Sequence, residues 1–207
     1  MAKSPQITVE SKLVTARMAA QFLGNHAEAT CQSLVQKMGA IQAQHGDMTQ
    51  WAIGKRLRLG DSHPPIPLDN VQQALKKGEV VRTHALRPTW QLLAGEDLLW
   101  ILQLTAPAIK RILFSRDKHL GIVEKEYVKS DQAIHRILES GPALNRQELI
   151  GALIENGFTM DEYRSNHYIM HAELQGIICS GPVKGGKHSY AITERVLGKR
   201  YKIAEKL

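Results

Sequence analysis

Between Asp131 and Ile192 the chain is divided by start and stop signals that leave room for three helices and one tight hairpin. Gly141-Pro142 ends a helical stretch from Asp131 to Ser140, which carries Ala133, Ile134, Ile137 and Leu138. Asn145 with Glu148 has the spacing of a reciprocal cap. The helix it opens has Leu149, Ile150, Leu153 and Ile154 as its apolar stripe and stops at Asn156-Gly157. Thr159 and Glu162 read as another capping pair, opening a helix with Met160, Tyr163, His167, Met170 and Leu174 on one face. Ile177–Cys179 and Ser189–Ile192 then flank Lys184-Gly185-Gly186-Lys187, two short strands about a Gly-Gly turn. Three helices followed by a hairpin is the order of a winged helix-turn-helix, whose third helix enters a major groove while the wing reaches backbone or minor groove. On that reading Arg164, Ser165 and Tyr168 face outward, and Lys184 and Lys187 each neutralise a phosphate.

A less regular copy of the pattern precedes this one. Ala16–Leu23 and Thr30–Met38 read as short helices, and Asp47 can cap a third through Trp51, Ile53 and Leu57. The far side of that helix presents Lys55, Arg56 and Arg58. His63-Pro64-Pro65-Ile66-Pro67 is a loop, and Asp69 caps a helix to about Lys77. Glu79–His84 and Thr89–Leu93 are strands joined through Arg87-Pro88. Gly95-Glu96-Asp97 starts an apolar helix (Leu98, Leu99, Ile101, Leu102, Leu104) that packs the two modules together. The expected fold is mainly α with short β-hairpins, as tandem winged helix-turn-helix domains. A first module covers 1–114, a polar connection covers 115–129 and a second module covers 130–207.

Charge narrows the partner. With 27 Lys and Arg against 20 Asp and Glu the chain carries +7, an electrostatic footprint for polyanions. The surplus is concentrated from Pro182 onward and between Trp51 and Trp90. A hydrophobic content of 43% excludes a disordered chain, and no 18-residue apolar stretch is evident that would span a bilayer. The N-terminal MAKSPQITVE lacks a signal-peptide pattern, and Cys31 and Cys179 form no CxxC, as suits a reducing cytoplasm. A cytoplasmic, nucleoid-associated protein is expected.

Three phrases in order resemble the bacterial AlkZ/YcaQ-type winged-helix DNA glycosylases over roughly residues 15 to 196. The first is Gly39-Ala40-Ile41-Gln42-Ala43-Gln44 with Trp51-Ala52-Ile53-Gly54-Lys55-Arg56. The second is Arg82 to Trp90, with Glu96-Asp97 and Leu104-Thr105-Ala106-Pro107 behind it. The third is Ala172 to Gly181, then Ser189-Tyr190-Ala191. The resemblance implies hydrolysis of the N-glycosidic bond of alkylated, N7-substituted purines in double-stranded DNA, including interstrand crosslinks; no cofactor and no metal are expected. It implies a Gln-apolar-Gln catalytic motif on Gln42, Ala43 and Gln44, and a DNA-contacting hairpin over Thr83 to Trp90. Many relatives have His where this chain has Gln91, and relatives are considerably longer. The DNA-binding candidates are Lys55, Arg56, Arg82, Thr83, His84, Arg87, Thr89, Trp90, Arg164, Lys184 and Lys187.

Glutamine does not titrate near neutral pH, so it positions a water without deprotonating it. That suffices where the leaving group is already cationic, as in an N7-alkylated purine, and positioning plus dipolar stabilisation then supplies much of the catalysis. In an ideal helix Gln42 and Gln44 sit ~200° apart; in an extended segment they project from one side. The helix before Gly39 must therefore end ahead of Gln42. A non-enzymatic winged-helix transcriptional regulator is the alternative, favoured by the basic wing and the lack of a titratable catalytic pair. His167 and His171 have i, i+4 spacing but no readable third ligand, and His45 and His84 flank the proposed site.

Overall fold

A computed structural model describes residues 9–23, 30–57 and 69–199. Arg58, the Pro-rich segment 63–67 and the basic residues from 200 onward lie outside the described residues.

Thr30 and Ser33 cap each other reciprocally and start α2 (Cys31–Met38); α1 (Val9–Ala20) precedes it, earlier in the chain than the expected Ala16–Leu23. Gly39 ends α2 with φ +73, a conformation L side chains rarely adopt, and the chain turns extended into β1 (Ile41–Gln42). Then come α3 (Gly46–Gly54), α4 (Asp69–Lys76), β2 (Val80–His84) and β3 (Trp90–Ala94). The residue before α3 is His45, which supplies no side-chain cap; Asp47 lies inside the first turn rather than at the cap. The three strands form an antiparallel sheet in the order β1-β3-β2.

A 3-10 turn over Gly95–Asp97 leads into α5 (Leu98–Leu120), followed by α6 (Glu124–Glu139). The segment 115–129, expected as a polar connection, is therefore helical except for residues 121–123. Its charges sit mostly on exposed faces of helices whose other faces are buried, Asp117 being the buried exception. The second unit continues with β4 (Leu144–Asn145), α7 (Arg146–Glu155), α8 (Glu162–Leu174), β5 (Ile178–Ser180), β6 (Ser189–Ile192) and α9 (Thr193–Leu197), with sheet order β4-β6-β5. Asn145 and Glu148 form the expected capping box. α8 instead starts two residues later than Thr159 implied, because the Asp161 side chain accepts from the Arg164 N–H at 2.7 Å. Both units thus share one order: helix, two-residue strand, helix, helix, hairpin.

Three apolar clusters hold this arrangement. Leu34, Val35, Ile53, Val80 and Leu92 fill the first unit, and Ile134, Leu149, Leu153, Ile169 and Ile178 the second. The third joins them: Leu98, Ile101, Leu102 and Ile109 of α5 meet Val81 and Leu93 on one side and Leu174 and Cys179 on the other. Each such side chain contributes about 1.5–3 kcal/mol on burial. α5 corrects the sequence reading in one respect: by length and composition it could cross a membrane. Its buried residues are instead the shared core of the two units, with Leu104 and Ile112 on the exposed side.

Candidate active site

Gln42 pairs with Gln91 across β1 and β3, and Gln91 with Thr83 across β3 and β2. The Ala43 N–H donates to the Trp90 carbonyl at 2.8 Å, carrying the extended conformation past the end of β1. Ile41 and Ala43 are buried and Gln42 and Gln44 exposed, so both amides project from one side of an extended segment.

Each amide is tied to the β2–β3 hairpin. The Trp90 N–H donates to Gln44 Oε1 at 2.7 Å. A backbone N–H can only donate, so the Gln44 oxygen faces the hairpin and its NH2 group faces out. Arg87 Nη2 donates to Gln42 Oε1 at 3.5 Å, a long contact that leaves this oxygen able to accept from water. Gln91 Nε2 donates to the Thr89 hydroxyl at 2.9 Å. The hairpin tip runs through two successive three-residue turns, Arg87 N–H to the Ala85 carbonyl and Thr89 N–H to the Arg87 carbonyl. Leu86 takes φ +63 there, a strained value for a branched side chain, and its N–H reaches the Thr105 hydroxyl of α5 at 3.3 Å.

Behind the hairpin lies a buried polar layer. Arg82, Thr83 and His84 are all under a tenth exposed, which corrects the expectation that they reach DNA. Arg82 Nε donates to the Ala43 carbonyl at 2.8 Å, its guanidinium lies 4.1 Å from the centre of the Trp90 ring, and its backbone N–H donates to Ser180 Oγ at 2.7 Å. Burial lowers the Arg82 pKa, opposed by Glu173 and Tyr190. His84 Nδ1 lies 2.5 Å from Glu173 Oε2, and its ring sits 4.5 Å from that of Trp90. Burial, and then Glu173, push the Tyr190 hydroxyl up to about 12. Burial, and then Arg82, hold His188 down at about 4. Glu173, Ser180 and His188 belong to the second unit. No periodicity marks them, and only the folded chain brings them near Arg82.

Two further cations are spent internally. Arg56 donates to the carbonyls of Gln21 and Ala52. Arg164 donates to the Leu120 carbonyl and the Tyr168 hydroxyl and lies near Glu126. Ser165 and Tyr168 are 1% and 2% exposed, so α8 does not present the outward face expected of it. It packs against α5, α6, β2 and β5. Lys55, Arg87, Lys184 and Lys187 are exposed. Gly185 and Gly186 both have positive φ, and Lys184 and Lys187 exchange backbone hydrogen bonds across them in a two-residue turn; the exposed Lys184 ammonium donates to the Ala143 carbonyl at 2.7 Å, and that of Lys187 makes a long contact of 3.4 Å with Gln147 Oε1.

His167 and His171, for which the sequence offers no third metal ligand, each pair with a carboxylate: Asp117 at 2.6 Å and Asp131 at 3.0 Å. Tyr127 donates to the same Asp117 and stacks on the His171 ring. These are internal pairs, and no group of three metal-ligating side chains forms among the described residues. Burial pushes the thiols of Cys31 and Cys179 up to about 12, which rules out thiolate nucleophiles.

The family model of the DNA glycosylase AlkZ-like proteins matches residues 35–206. The chain belongs to this family. Among solved structures it is similar to the DNA glycosylase AlkZ of Streptomyces sahachiroi, with a TM-score of 0.70 and 21% identity over 89% of this chain and 49% of that one. The chain therefore spans about half the length of that relative, and the likeness shows the fold. No curated protein matches.

Proposed function

We propose that this chain is a DNA glycosylase acting on N7-alkylated purines in double-stranded DNA, interstrand crosslinks included, and that its two units are tandem winged helices working in the cytoplasm at the nucleoid. The observation that carries the reading is the pair of amides on one exposed face, one presenting a carbonyl and the other an NH2 group. A water can donate to Gln42 Oε1 and accept from Gln44 Nε2, which aims its lone pair at the sugar C1′. As the C1′–N9 bond breaks, its electron pair goes to the cationic purine, which leaves neutral. The water oxygen bonds to C1′ and its proton passes to solvent, since neither amide can hold it. Water is the one co-reactant needed. Catalysis by orientation and dipoles suits leaving groups that are already activated.

Lys184, Lys187, Arg87 and Lys55 supply the phosphate contacts, which bind without reading sequence. The family membership supports the same chemistry. The test is duplex DNA bearing N7-methylguanine, scored for abasic sites. Wild type should release the base, and Gln44→Ala should do so about 10²- to 10³-fold more slowly. No release by wild type, or equal release by the variant, rejects the proposal; selective binding of one operator sequence without excision would select a regulator instead.

A further inference from the structure

The backbone between the two amides is held by a network that starts in the other unit. We infer that Arg82 is a positioning residue for the Gln42–Gln44 segment, anchored by Ser180 and Glu173 of the second unit, and that it makes no phosphate contact. The activity part of this inference rests on the glycosylase reading above.

Arg82 touches both sides of the segment. Its Nε–H holds the Ala43 carbonyl, which lies between Gln42 and Gln44. Its guanidinium lies over the Trp90 ring, 4.1 Å from the ring centre, and so bears on the residue whose N–H holds Gln44 Oε1. At 7% exposure it has no route to a phosphate. A guanidinium can be kept there because a counter-charge is buried with it: Glu173 on α8, 1% exposed, acts on Arg82 through space and bonds His84, whose ring rests against Trp90. The Arg82 N–H ends on Ser180 Oγ of β5, so the edge of β2 is pinned to the second unit. Lysine cannot reproduce this, because it lacks the planar face that stacks on indole while a neighbouring N–H points along the plane.

Two variants test it, Arg82→Gln and Ser180→Ala, each read by excision rate, by the salt dependence of duplex binding and by amide hydrogen exchange at Ala43. Arg82→Gln should lower the single-turnover excision rate about 10- to 100-fold. Although it removes a charge, it should leave the slope of log affinity against log salt unchanged, whereas a lost phosphate contact reduces that slope by about 0.9. The Ala43 amide should exchange about tenfold faster in both variants. If Arg82→Gln does not fold, Ser180→Ala carries the test, since it removes one hydroxyl. A reduced salt slope in Arg82→Gln, or unchanged Ala43 exchange in both variants, overturns the inference. Absence of excision by wild type would reject the glycosylase reading alone, and exchange at Ala43 would still decide the role of Arg82.

Discussion

His188 lies at the base of the second unit's wing, beside Gly46 at the start of α3, and its protonation should destabilise the fold. Its ring is half-buried, Nδ1 has no partner, and Nε2 lies 3.4 Å from where a Cβ on Gly46 would stand. Burial, with the Arg82 charge behind it, lowers its pKa from 6.5 to about 4. The unfolded chain therefore binds a proton that the folded chain refuses. Stability is complete above the unfolded value and is lost as pH falls from there toward the folded one. At pH 5 the full shift corresponds to about 2 kcal/mol, and partial solvent screening of a half-buried ring reduces this to about 1 kcal/mol. Urea denaturation of wild type and His188→Gln between pH 7.5 and pH 4.5 isolates this contribution, because carboxylates titrating over the same range cancel in the difference. Wild type should lose about 1 kcal/mol more than the variant between pH 7 and pH 5. Parallel curves would refute the reasoning, since they would mean that the ring is charged or solvated at neutral pH.

Gly95→Ala places a Cβ 2.2 Å from the Gly78 carbonyl oxygen, backbone against backbone, and should cost about 3 kcal/mol in a urea melt. Gly151→Ala in α7 meets nothing within 4 Å and should stabilise by about 0.5–1 kcal/mol in the same assay. The double variant Lys184→Ala, Lys187→Ala should reduce the salt slope of duplex binding by about 2 and lower stability by no more than about 1 kcal/mol, since each exposed ammonium gives up one surface hydrogen bond. Arg56→Ala should leave that slope unchanged and lower the melt, because its donors are bonded to the Gln21 and Ala52 carbonyls. Asp117→Asn should destabilise by about 2 kcal/mol in the urea melt, since Tyr127 and His167 both depend on the buried carboxylate.

Local signals account for what could be read from the chain. Asn145 with Glu148, the Gly39 stop and the Gly185-Gly186 turn act within a few residues, and each appears where its chemistry requires. The extended geometry of Gln42 and Gln44 was legible for the same reason: helical phase forbids the alternative. The burial of α8 was not. Arg164, Ser165 and Tyr168 look outward by composition and phase within their own unit, and α5, from the preceding unit, helps to cover them. Arg82, Thr83 and His84 resemble a polar DNA-facing strand for an equivalent reason, because their partners Ser180 and Glu173 stand far along the chain. A single sequence carries no local mark of a partner that distant.

The burial of α8 bears on what kind of DNA protein this can be. A regulator that selects an operator needs side chains at base edges in a major groove, and the helix that would supply them in the second unit is enclosed by α5, α6 and the β2 strand. The exposed cations that remain, at the wing and at the hairpin tip, make contacts any sequence can satisfy. An enzyme that finds damage is not impaired by that arrangement. Its specificity can come from the lesion, because positioned amides accelerate loss only of a base that already carries positive charge. Packing α8 against β2 also buries Glu173 near Arg82, the residue whose Nε–H holds the backbone between the two glutamines.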